Sequence, residues 1–157
     1  CENWVSERIP GKESKSVKEQ LAFIRTLTPK ADIVHSPSDY RGILKGLLAS
    51  NPDNELARQY LLCLDILLKN LDHFIEDYDP SRDDSRLYDE AVLIFLARHG
   101  AMTPDNIAHF DIPYDVLQEF SDYNNMVNMH QGAMGPMQEK YGKTYWFFYQ
   151  YAKRNIK

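Results

Sequence analysis

Residues 54–78 read NELARQYLLCLDILLKNLDHFIEDY. Within this stretch Leu56, Tyr60, Leu64, Leu67, Leu71, Phe74 and Tyr78 recur at intervals of three and four, while Arg58, Asp65, Lys69, Asp72 and Glu76 fill the opposite side. Apolar residues at that spacing share one face of an α-helix, so the segment predicts a helix that buries one long stripe. Lys69-Asn70 interrupts it, which splits it into a long helix and a short one ending near Tyr78.

The same punctuation recurs on either side. Asn51-Pro52-Asp53-Asn54 and Ser36-Pro37-Ser38-Asp39 each place a capping residue before a proline, the arrangement that opens a helix. A helix is therefore expected from Ser36 to about Ser50, with Tyr40, Ile43, Leu44, Leu47 and Leu48 on one face, turning straight back into the next. After the polar loop from Asp79 to Ser85, another helix runs from Arg86 to His99 and is closed by Gly100. Its centre, Ala91 to Ala97, is apolar on every side and is expected to be the most buried element.

Thr103-Pro104 and Asp111-Ile112-Pro113 restart helices by the same logic, and Gly132, Gly135 and Pro136 break the second. A last helix is expected around Tyr145-Trp146-Phe147-Phe148-Tyr149-Gln150-Tyr151, docked by its rings, and Val17, Leu21, Ile24 and Leu27 suggest one near the start that ends at Thr28-Pro29. No run alternates with period two. The fold class is all-α, with short connections that favour antiparallel hairpins stacked as a tetratricopeptide-like superhelix or a bundle. Residues 1–16, polar and carrying Pro10 and Gly11, suit a flexible tether, and residues 17–157 a single helical domain.

Composition narrows the function classes. The 157 residues are 43% hydrophobic and 26% charged, ordinary globular usage. Eighteen basic against 23 acidic side chains give a net charge of -5, which repels phosphate backbones, so no nucleic-acid partner is expected. The longest apolar run, Ala91 to Ala97, is far short of the roughly 20 residues that cross a bilayer as a helix.

Several strings resemble a family. Asn51-Pro52 and Asn54 followed by Ala57, Tyr60, Leu61 and Leu62; Leu68-Lys69-Asn70-Leu71 with Phe74; Tyr88, Glu90 and Ala91; and Tyr141-Gly142-Lys143-Thr144-Tyr145-Trp146 are similar to an uncharacterised family of helical proteins from Bacteroidetes. They cover about the last two-thirds of the chain. The resemblance implies a tetratricopeptide-like C-terminal part and an envelope setting. The family has a membrane-embedded N-terminal part without a counterpart among these residues, and it carries no assigned activity or catalytic residues.

Chemistry-bearing patterns are sparse. His35, His73, His99, His109 and His130 lack the pair spacing of a metal-binding helix, and His109 beside Asp111 reads as a helix-end pair. Asp77, Asp79, Asp83 and Asp84 begin like a calcium loop, but Arg82 stands where that loop needs Gly and Tyr88 where it needs Glu. Asp89 and Glu90 are adjacent on a helix and point apart. Cys63, within an apolar run, reads as core. No metal or cofactor and no catalytic residue is therefore assigned.

Two features point toward interaction. Tyr145, Trp146, Tyr149 and Tyr151 belong to a helix too aromatic all round to face one core, so they form either a contact patch for a partner or a terminal cap on the helical stack. Cys1 opens the chain, either as the lipid-bearing residue of a mature bacterial lipoprotein or as a chosen boundary; the former makes it the only attachment to a membrane. The expected function is a non-enzymatic interaction module of the bacterial cell envelope that binds a protein or peptide. The competing reading is a small-ligand binder or hydrolase whose site is built from Tyr, His and Asp.

Overall fold

The computed structural model describes residues 15–27 and 39–153. Among these the chain is all helical, with no strand. Its helices are α1 (Lys15–Leu27), α2 (Tyr40–Ser50), α3 (Glu55–Leu67), α4 (Leu71–Asp77), α5 (Arg86–Arg98), α6 (Pro104–His109), α7 (Tyr114–Met129), α8 (Met134–Tyr141) and α9 (Tyr145–Tyr151). The chain divides into two compact units, Cys1–Cys63 and Leu64–Lys157, with the boundary inside α3.

In the first unit, α2 starts at Tyr40 because the Asp39 carboxylate accepts the Gly42 N–H at 2.9 Å. Asp39, expected inside the first turn, is itself the cap; Ser36 lies outside the described residues. Asn54 opens α3 in the same manner, its Oδ1 accepting the Ala57 N–H at 3.2 Å. Of the expected tether, Lys15 and Ser16 are described, and they begin α1.

The long stripe needs correction. Leu56, Tyr60 and Leu67 are 60%, 61% and 56% exposed, whereas Ala57, Leu61, Leu62 and Ile66 are buried together with Asp65, which the pattern had put outside. The cause is local. Lys69 adopts φ 56, the Lys69 N–H bonds the Ile66 carbonyl and the Asn70 N–H bonds the Asp65 carbonyl, a Schellman turn that ends α3. Leu71 and Phe74 are buried as expected, but the 3.6-residue phase does not carry back across the left-handed residue, so extrapolating from them selects the wrong face of α3.

The second unit is organised around α5, which packs against α4, α7 and α9, while α8 packs on α7 and α9. Of the apolar centre, Ala91, Val92, Leu93, Ile94 and Leu96 are buried with Tyr88, whereas Phe95 is half-buried and Ala97 exposed. Turns of the same left-handed kind end α5 at Gly100, α6 at Asp111 and α7 at Gln131-Gly132. Asp111, expected to open α7, thus closes α6 instead, and Pro113 precedes the first turn of α7. α7 ends at Met129, before Gly132 as expected, and Gly135 and Pro136 lie in the first turn of α8, where a missing N–H costs nothing because no intrahelical acceptor exists for it.

Candidate functional site

The aromatic helix α9 is tied down at both ends. Its first N–H, from Tyr145, donates to Glu90 Oε2 at 2.6 Å, and the Thr144 hydroxyl accepts the Phe147 N–H. The Trp146 indole N–H donates to the Glu90 carbonyl at 3.1 Å, and the Tyr145 hydroxyl to the Ile66 carbonyl at 2.8 Å. At the far end the Lys69 ammonium donates to the carbonyls of Tyr149 and Ala152 at 2.7 and 2.6 Å, placing a cation at the negative end of the helix.

This anchoring sorts the four aromatic residues expected to form either a contact patch or a terminal cap. Tyr145 and Trp146 are 4% and 1% exposed, so they are core, because their polar atoms find partners inside and their rings are free to follow. Tyr151 is half-buried, its hydroxyl donating to the Gly132 carbonyl at 3.1 Å. Tyr149, also half-buried, reaches the surface beside α5, where its hydroxyl accepts from Arg98 Nη1 at 2.6 Å.

That pair sits on the edge of a groove. Ile94, Ala97 and Arg98 of α5, Phe120, Tyr123 and Asn124 of α7, and Trp146, Tyr149 and Gln150 of α9 enclose about 500 Å³. Phe120 and Tyr123 rings stand 5.2 and 5.7 Å from the Trp146 ring and make an aromatic floor. Burial, and secondarily the proximity of Tyr151, hold the Tyr123 phenol well above the usual tyrosine range, so it stays neutral. A second hollow of about 440 Å³ shares Ala97, Phe120 and Asn124 and continues along α7 to Met102 and Tyr114. Among the described residues lining both, Arg98 is the only charged side chain. Phe120, Tyr123 and Trp146 are 5%, 4% and 1% exposed, so the floor shows only its edges, and the groove presents chiefly the half-buried Tyr149 ring, the amides of Asn124 and Gln150 and one guanidinium.

The acidic residues sit elsewhere. Glu90 faces α9 and pairs with Arg86, which also bonds Glu119. Asp89 is raised from 3.8 to about 6, by burial first and then by the charges of Asp84, Glu90 and Asp111. Burial and the nearby Asp89, Asp83, Asp84 and Asp111 likewise push the Tyr78 phenol up to about 12. In the loop, Asp79 accepts from the Ser81 N–H and hydroxyl, and Asp83 accepts the Asp79 N–H, so these carboxylates brace the turn. Among the described residues no group of three or more His, Cys, Asp or Glu is placed to hold a metal ion, and no helix is long and apolar enough to cross a membrane. Cys63 is half-buried, more open than a core residue; Cys1 lies outside the described residues.

A family model described as a family of unknown function (DUF6057) matches residues 2–152. The chain belongs to that family. No curated protein and no solved structure matches it. Sequence reasoning singled out Trp146 and Tyr149 from this member's groove, but missed Arg98, Asn124 and Gln150. A signal was present: Asn124-Asn125 sits in mid-helix, where asparagine is a poor helix former, next to the face that carries Phe120 and Tyr123.

Proposed function

We propose that this chain is a non-enzymatic helical interaction module that holds a segment of a protein or peptide partner in the groove between α5, α7 and α9. The observation that carries the reading is the lining itself: an aromatic floor beneath an amide rim and a single cation, the composition that suits a polypeptide with apolar side chains and a hydrogen-bonding backbone. Its setting in the bacterial cell envelope, and a tetratricopeptide-like stacking of hairpins, rest on the resemblance to the Bacteroidetes family.

Ala97 is exposed and lines both hollows, so Ala97→Trp fills the groove without entering the core. Crosslinking in native membranes is expected to capture a partner with the parent chain and to lose it with Ala97→Trp. Capture unchanged by the filled groove would overturn the reading. A hollow of about 500 Å³ also falls within the range of small-ligand sites, and a saturable thermal shift with a small compound but with no peptide would favour that alternative.

A further inference from the structure

We propose that the groove selects a segment carrying one acidic side chain beside an aromatic or large aliphatic one, a specificity that rests on the groove being the partner site. The argument starts from charge. Arg86 is claimed by the carboxylates of Glu90 and Glu119. Arg98 is held differently. It donates Nη1 to the Tyr149 hydroxyl and lies 5.9 Å from the centre of that ring, and among the described residues it has no carboxylate partner.

A single neutral hydrogen bond uses one of the five N–H donors of a guanidinium. Arg98 is exposed and lines a hollow whose other lining residues are uncharged, so a carboxylate entering it would meet a positioned cation. The position is fixed because Tyr149 is fixed: its carbonyl is bonded by Lys69, whose ammonium also lies 5.4 Å from its ring.

The rest of the lining sets what must accompany the acid. Phe120 and Trp146, their rings tilted 49° to one another, and the half-buried Tyr149 ring give an apolar lining beside Arg98, matched by a ring or a branched aliphatic chain. The adjoining hollow toward Met102 and Tyr114 is wholly neutral, so the segment continues in that direction with uncharged residues. One cation at one end and apolar and amide surface at the other give the groove a direction as well as a composition.

The test is an array of octapeptides of Gly and Ser, each with one Glu, Gln or Lys placed next to Phe, Trp, Tyr, Leu or Ile, titrated calorimetrically into the full chain. The Glu peptides are expected to bind about tenfold more tightly than their Gln counterparts at low salt, with Lys peptides weakest. Arg98→Gln should bring Glu and Gln peptides to equal affinity, and Arg98→Glu should reverse the order of Glu and Lys. Equal binding of Glu and Gln peptides by the parent overturns the acid preference and leaves the groove in place. Binding untouched by Ala97→Trp, or no binding by any peptide, overturns the groove reading as well.

Discussion

The Glu90 carboxylate and the Tyr145 backbone nitrogen are 2.6 Å apart, so the opening N–H of the last helix is satisfied by a buried side chain from the central one. Glu90→Ala leaves that N–H and the Arg86 guanidinium without this acceptor, and is expected to cost about 2–3 kcal/mol of stability in urea unfolding. Glu90→Gln keeps an acceptor while losing the charge, and should cost less. Equal unfolding midpoints for all three proteins would contradict this.

Lys69 combines two roles that substitution can separate. Lys69→Gly keeps the left-handed turn and removes the ammonium; Lys69→Ala removes the ammonium and leaves a side chain at φ 56. Both should be less stable than the parent by about 1–2 kcal/mol. Alanine should be the worse of the two by about 1 kcal/mol. Differential scanning calorimetry of the three proteins measures the order.

Asp89 makes stability depend on pH in a stated direction. Its folded value, about 6, is above its ordinary 3.8, so between these values the folded chain binds more protons than the unfolded one. Stability from this group therefore falls as pH rises from about 4 to about 6 and is flat above. Asp89→Asn should be more stable than the parent at pH 7.5, by on the order of 1 kcal/mol once solvent screening is allowed for, and the two should converge at pH 4. Chemical denaturation at both pH values decides it; a constant difference would refute the assignment.

The face of α3 is tested by a pair of leucines. Leu62→Ala, at a site with 0% exposure, should cost about 2–5 kcal/mol. Leu56→Ala, 60% exposed, should stay within about 0.5 kcal/mol. Similar costs at both sites would restore the original stripe.

These corrections show where the sequence was legible. Most helix starts were readable because capping residues and apolar spacing are local signals: Thr103 caps α6 through its side chain, and the apolar centre of α5 supplies most of its buried residues. The buried face of α3 was not, since Lys69 is not a residue that advertises a left-handed conformation, and both faces of that helix are apolar. At the site, Trp146 and Tyr149 stood out by ring content, yet whether a ring faces inward depends on partners distant along the chain, such as Glu90 and Arg98. The groove arises only when three helices meet, and no one segment encodes it.

The bonds that fasten α9 span 55, 79 and 83 residues of chain. During synthesis, α5 therefore leaves the ribosome long before the helix that covers Trp146's side of it exists, with apolar surface and Glu90 still awaiting their partner. A message cut short before the codon for Tyr145 therefore leaves α5 without the helix that covers it.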